Sequence, residues 1–305
     1  MTADDIITLL NLEPHPTEGG YFRRTYQSDL MHHLSVLFLF FFIIFSSVCT
    51  AAKAENPPEM LLSVLWAQAS AEWNMASQQA FHLATLNLEK ALNDPSWTAA
   101  LEQQKNFHSL PPAVIVDVDE TLLDNSPLAA RLILAGKEYD PQLWLEWVKE
   151  SSAAPMPGAV SFIRCAKEKG VAVFYVTNRK VKNETVRNIK KVIDPDVKPE
   201  QVLCKKERPK WGLNKTSRRS FIAEKFRVLL LIGDDYNDFT FLDKSSPEER
   251  IGRAMQHQKY WGSKWILISN PVYGSWKPAL YGHNYELSHD KKMAKKYQLL
   301  RTVAQ

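Results

Sequence analysis

Two pairs of aspartates carry the chemistry of this sequence. Asp117 and Asp119 lie in Val116-Asp117-Val118-Asp119-Glu120-Thr121, and Asp234 and Asp238 in Gly233-Asp234-Asp235-Tyr236-Asn237-Asp238. Carboxylates brought close together make a cation site, an acid–nucleophile pair, or both. An isolated Asp-x-Asp is ordinarily a solvated acidic turn. Here residues 113–116, Ala-Val-Ile-Val, are fenced by Pro111-Pro112 and read as a short buried strand. Asp117 therefore stands where a strand gives way to a loop, which is where open parallel sheets bind ligands. Residues 228–232, Val-Leu-Leu-Leu-Ile, put Asp234 in the same relation to a second strand. The spacing to Asp238 sets both carboxylates on one face of a turn entering a helix.

The elements that must position these groups alternate. Residues 59–92 carry apolar positions at three- and four-residue steps, with no Gly or Pro inside, and predict one long helix ended by Asn93-Asp94-Pro95. After the first aspartate pair, 126–136 reads as a helix. Asp140 or its neighbour caps a second, holding Trp144, Trp147 and Val148. Tryptophans three apart on a helix are usually core, and Trp147 is read that way. Pro155-Met156-Pro157-Gly158 breaks the chain. Residues 159–169 form a helix closed by Gly170, then 171–176 form an apolar strand ending in Thr177-Asn178-Arg179. A charged amphipathic helix over 184–192, short strands over 201–204 and 265–269, and a basic helix from 287 complete the pattern. The alternation implies an α/β fold: a doubly wound parallel sheet with a small, mainly helical cap and an N-terminal helical segment. The basic run 205–219 is the kind of segment that is usually a solvated face.

Bulk properties set limits. The 305 residues are 45% apolar, enough for a sizeable core, and suffice for one large domain or two small ones. A net charge of +4 is too weak to argue for a nucleic-acid polymer as partner. Cys49, Cys165 and Cys204 offer no zinc spacing; Cys165 and Cys204 either pair in an oxidising compartment or are two buried thiols.

The N-terminal region is of another character. Residues 34–48 are almost purely apolar, shorter than a spanning helix needs but suited to the core of a secretory signal. Ala52-Lys53-Ala54 offers a cleavage site. Lipid attachment at Cys49 is a rival, weakened by Val48 where a small residue is expected, and an uncleaved anchor is a third reading. Residues 1–30 are too long and too acidic for a signal's leading segment. Their Pro14-His15-Pro16 and Gly19-Gly20-Tyr21-Phe22 resemble the opening of a small cupin-type family without the barrel that should follow. The expected organisation is 1–30 as a remnant or a mis-set start, with Met31 the natural first residue, 31–54 as a signal-like segment, and 55–305 as the working domain.

Residues 114–124 resemble motif I of the haloacid-dehalogenase (HAD) superfamily of phosphatases. The extension through Asn125-Ser126-Pro127 is similar to the class C acid phosphatases, which include bacterial outer-membrane lipoprotein-e acid phosphatases that are 5′-nucleotidases. The resemblance covers about residues 61–277 with four motifs in order. It implies Asp117 as nucleophile and Asp119 as general acid and base. It also implies Thr177 at motif II, holding phosphoryl oxygens, with Asn178 beside it in substrate binding; Arg179 would orient the phosphate or brace a carboxylate, with a plain surface arginine as the rival reading. Lys215 is the motif III cation, with Lys210 as fallback. Asp234 and Asp238 form motif IV, with Asp238 acting through water or by pairing with Lys215. Mg2+ would be held by Asp117, Asp119, Asp234 and Asp238. Trp144 and Tyr273, the latter in Asn270-Pro271-Val272-Tyr273-Gly274-Ser275-Trp276, would clamp a nucleotide base, though for Trp144 plain packing is an equal reading. The implied partners are small phosphomonoesters such as nucleoside monophosphates, with membrane attachment through the N-terminus and a homodimer both compatible. The implied place is the periplasm or outer membrane of a Gram-negative bacterium. A non-enzymatic cell-envelope lipoprotein for ligand capture and a HAD phosphotransferase stand as alternatives.

Overall fold

The computed structural model describes residues 2–14, 21–22 and 58–303. The chain divides into two compact units, Met1–Pro57 and Pro58–Gln305. The described part of the first is a helix, Ala3–Leu10, whose N-terminus is closed by a reciprocal box between Thr2 and Asp5, and a two-residue antiparallel pair, Glu13–Pro14 with Tyr21–Phe22. The signal-like run 34–48, the cleavage site at Ala54, Met31 and Cys49 lie outside the described residues. Among the described residues no helix is long and apolar enough to cross a membrane.

The second unit is built on a five-stranded sheet. Its strands are β1 (Pro112–Val116), β2 (Ala172–Thr177), β3 (Val202–Cys204), β4 (Arg227–Gly233) and β5 (Trp265–Leu267). All neighbours are parallel and the order is β3-β2-β1-β4-β5. The sheet is doubly wound, as the alternation of elements predicts. The chain lays strands to one side of β1, then returns to the other, and the crevice at such a reversal collects ligands. The strands are apolar throughout because both faces are covered. Val114, Val116, Val173, Tyr175, Leu230 and Ile232 join one core, and Ile115, Val176 and Leu231 join the other, the period of two expected of a strand.

One core is covered by α1 (Leu61–Ala69), α2 (Ala71–Asn93), α5 (Ala159–Glu168) and α6 (Lys182–Val192); the other lies under α7 (Thr216–Ala223). Between β1 and α5 the chain inserts α3 (Ser126–Leu134) and α4 (Pro141–Glu150), bracketed by an antiparallel pair of Leu123–Asp124 with Ala154–Pro155. This is the small helical cap. Asp140 does cap α4, accepting from the Gln142 and Leu143 N–H groups. Gly158 opens α5 at φ +89°, and a Cβ there would press on Phe81 and the Gln78 backbone of α2, so a glycine sets how closely α2 and α5 approach. The remaining helices are α8 (Tyr236–Phe239), α9 (Pro247–Gln256), α10 (Trp276–Ala279) and α11 (His289–Gln298).

Two expectations are corrected and one open alternative is decided. The helix over 59–92 is two helices, broken at Ser70, which is extended (ψ 140°). The Ser70 hydroxyl accepts from the Trp73 N–H at the start of α2 and donates to the Trp66 carbonyl of α1, so a hydroxyl satisfies both ends of the break without Gly or Pro. The basic run 205–219 is not a solvated face throughout: Lys215, Arg218 and Arg219 are buried, while Lys210 is exposed. Cys165 and Cys204 are free thiols, so that pairing does not form.

Candidate active site

Asp117 follows β1 directly, and its N–H donates to the Ile232 carbonyl of β4 (2.9 Å), so the ladder between two central strands fixes its backbone. Asp234 follows β4. A short turn then brings Asp238 back. Asp235 caps α8 by accepting from the Asn237 N–H (2.9 Å), and Asp238 Oδ2 accepts from the Asp235 N–H (3.0 Å). This lays the Asp238 carboxylate over Gly233, where a Cβ would collide with it. The glycine before motif IV is thus a requirement of close approach.

Asp117, Asp234 and Asp238 each offer a carboxylate oxygen, all within 4.8 Å of one another. Lys215, at the N-terminus of α7, donates to Asp117 Oδ1 and to Asp238 Oδ1 (2.5 Å). The Thr121 hydroxyl donates to Asp234 Oδ1 (3.0 Å), and Asn270 Nδ2 donates to Asp234 Oδ2 (2.8 Å). Lys210 has no part in this group.

Three carboxylates against one ammonium leave an excess of negative charge out of water. Burial pushes the Asp117 carboxyl up against the pull of Lys215. Burial, then repulsion from Asp117 and Asp238, pushes Asp234 well above the usual range. Asp238 is pushed up to about 7, again chiefly by burial. Burial disfavours the Lys215 ammonium, but contact with Asp117 and Asp238 outweighs it and holds the group above its ordinary value. Lys215 is therefore charged, and the remaining imbalance calls for protons or a cation. An all-oxygen donor set of this spacing, without Cys or His, fits a hard divalent cation.

Asp119 belongs to a second, adjoining group. Its Oδ1 accepts from Arg179 Nε (2.8 Å) and from Asn125 Nδ2 (3.0 Å), and is ion-paired with Arg179 Nη2 at 2.7 Å. Its Oδ2 accepts from the Thr177 hydroxyl (3.2 Å), and Thr177 Oγ1 accepts from the Arg179 N–H (3.0 Å). Asp119 is not one of the three carboxylates gathered for a cation. Arg179, for which two roles were open, braces a carboxylate here.

A family model described as HAD superfamily, subfamily IIIB (acid phosphatase), matches residues 49–276. The class C acid phosphatase from Bacillus anthracis, and the same enzyme with tungstate bound, each match at 30% identity and a TM-score of 0.71, over 80% of this chain and 98% of theirs. The chain belongs to the HAD subfamily IIIB acid phosphatases.

This acid phosphatase is a phosphomonoesterase; motifs I, II and IV fall at the carboxyl ends of three adjacent strands, β1, β2 and β4, and Lys215 of motif III reaches them from the start of α7. Trp144, on α4, is half-buried and lies under the Arg179 guanidinium, 5.7 Å from ring centre to Cζ. Tyr273 is 37% exposed in a loop whose Asn270 carboxamide also accepts from the Val272 N–H (2.9 Å). The Trp144 ring is thus one residue removed from Asp119, and the Tyr273 backbone N–H donates to the Asn270 carboxamide (3.4 Å) that holds Asp234. Asn178 accepts from Arg218 (2.8 Å), which also donates to the Thr177 carbonyl.

Several residues that shape the site drew no role from sequence. Thr121 and Asn125 sit inside motif I, and Asn270 opens the late signature. Arg218, fully buried, holds the motif II backbone. Arg219 donates to the Asp238 carbonyl (2.9 Å) and pairs with Glu102 (2.7 Å). Asp235, left unassigned, accepts from the Ser275 N–H and hydroxyl and so ties the Tyr273 loop to motif IV. The available signal was position within a motif; partner choice was visible only in space.

Proposed function

We propose that this acid phosphatase is an exported, Mg2+-dependent 5′-nucleotidase working through an aspartyl-phosphate. The observation that carries the reading is the Asp117–Asp234–Asp238 cluster with Lys215 buried against it. Asp117 and Asp234 would hold Mg2+ with Asp238 beside them, and the bound ion supplies charge neutralisation for carboxylate and phosphate. Asp117 attacks phosphorus in line; its Oδ–P bond forms as the ester P–O bond breaks. Asp119 gives a proton to the departing alkoxide, then takes one from the water that displaces phosphate from Asp117. Lys215 keeps Asp117 ionised and offsets phosphate charge, and the Thr177 hydroxyl, at the tip of β2, turns from Asp119 to hold a phosphoryl oxygen when substrate binds.

Nucleoside monophosphates are supported by Trp144 and Tyr273, each linked to the reacting groups, the first through Arg179 and the second through Asn270. Stacking accepts any base. That the Bacillus anthracis relative binds tungstate supports oxyanion binding by this chain, and tungstate should inhibit competitively. Export to the periplasm or outer membrane is supported by the apolar run 34–48, which immediately precedes the matched family region.

The test is phosphate release from p-nitrophenyl phosphate, AMP and sugar phosphates, with and without chelator. Chelation should abolish turnover and Mg2+ restore it. Asp117→Asn should lower turnover by at least about 10⁴-fold while the protein stays folded. Trp144→Ala should raise KM for AMP about tenfold and leave p-nitrophenyl phosphate nearly unaffected. Activity retained in Asp117→Asn refutes the nucleophile; an unchanged preference for AMP in Trp144→Ala removes the base clamp.

A further inference from the structure

Asn125 is 2% exposed, and its side-chain amide makes four hydrogen bonds of 3.2 Å or less, with a longer fifth from Nδ2 to the Leu123 carbonyl (3.5 Å). Nδ2 donates to Asp119 Oδ1 (3.0 Å) and Glu120 Oε2 (3.2 Å); Oδ1 accepts from Trp147 Nε1 (2.7 Å) and Arg179 Nη2 (3.2 Å). A primary amide has two N–H donors and two lone pairs, so its capacity is fully used. Rotating it by a half-turn would set N–H against both the indole and the guanidinium, so one orientation survives.

The surroundings are equally constrained. Glu120 sits at φ +54° and also accepts from the Asn125 backbone N–H (3.0 Å). Trp147 belongs to the cap helix α4, which also carries Trp144. On Asp119, Oδ1 is engaged by Asn125 and by two nitrogens of Arg179, whereas Oδ2 meets only the Thr177 hydroxyl. The two oxygens of one carboxylate are therefore inequivalent.

We propose that Asn125 is a positioning residue for proton transfer: with Arg179 it holds Oδ1 of Asp119 and leaves Oδ2 as the oxygen turned to exchange a proton with the leaving group, and Trp147 locks it in that role from α4. The inference rests on Asp119 as acid and base. It makes the seating of the cap helix part of the acid's geometry, independently of base stacking.

A general acid matters most where the leaving group is a poor one. The experiment compares kcat/KM, read as release of the leaving alcohol, for p-nitrophenyl phosphate and for alkyl and substituted phenyl phosphates, none carrying a base. Asp119→Asn is the benchmark and should lose about 10²–10⁴-fold on alkyl phosphates and far less on p-nitrophenyl phosphate. Trp147→Phe keeps an aromatic ring in place and removes one N–H. It should lose about tenfold on alkyl phosphates and less than about twofold on p-nitrophenyl phosphate, steepening the dependence on leaving-group acidity. Asn125→Ser, checked for folding by thermal melting, should steepen it further. Equal losses on all substrates would mark a merely structural contact and overturn the proposal, as would no loss. If Asp119→Asn itself shows no such dependence, the acid assignment falls first and this proposal with it; if only the Asn125 and Trp147 variants lack it, the acid assignment stands and this proposal alone is wrong.

Discussion

Asp238 shows what burying a charged cluster costs. Its carboxyl is raised from an ordinary 3.8 to about 7, and Asp117 and Asp234 are raised with it. In the cation-free protein the folded state thus binds protons more tightly than the unfolded chain. The corresponding stability is full below the ordinary carboxylate pKa and is lost as pH rises through about 7. Cation-free protein should therefore melt at a higher temperature near about pH 5 than near about pH 7.5, the reverse of common acid denaturation. A saturating divalent cation should flatten or invert that trend, because it favours the ionised carboxylates. Melting curves at the two pH values, in chelator and in Mg2+, measure it; a cation-free melting temperature that climbs with pH would contradict the electrostatics of the site.

Among elements, the break between α1 and α2 is the informative one. The 23 residues of α2 pack against β4, β5 and α5, and its buried side chains, Phe81, Ala84, Leu88 and Ala91 among them, belong to the larger core. Ser70 redirects the chain so that α2 can lie there, with α1 packing toward α3 at the cap. Ser70→Ala should cost about 1 kcal/mol, the usual worth of an N-terminal cap, and lower the melting temperature by a few degrees with turnover unchanged. A loss of activity without a loss of stability would mean that the break aims the cap rather than merely tolerating it. Periodicity could not reveal this break. Apolar spacing continues across residues 69–73, and a serine inside a helical pattern carries no stop signal of its own.

At the scale of the whole molecule, every site residue lies between Pro58 and Gln305, in a unit distinct by its contacts from residues 1–57. A chain beginning at Pro58 should keep its phosphatase activity within about twofold and melt as a single transition. Phosphate release and calorimetry check this. Collapse of activity on truncation would assign the first unit a part in the enzyme that its sequence does not announce.

By itself the sequence determined which carboxylates and hydroxyl stand at strand ends and which strands carry them. Asp117, Thr177 and Asp234 each follow or close an apolar run, and apolar runs of that length specify strands buried on both faces. Local pattern also specified the cap of α4 and the stop after α5. Only the tertiary structure decided who meets whom. Lys215 lies 98 residues from Asp117 along the chain, Arg179 lies 60 from Asp119, and Asn270 lies 36 from Asp234. Asp119 parted company with the other carboxylates because Arg179 and Asn125 claimed it, and a basic run that reads as solvated was drawn inward to meet buried carboxylates and backbone carbonyls. Pairings of this kind are settled by burial and charge compensation across strands, and those quantities have no signature in the order of residues along one of them.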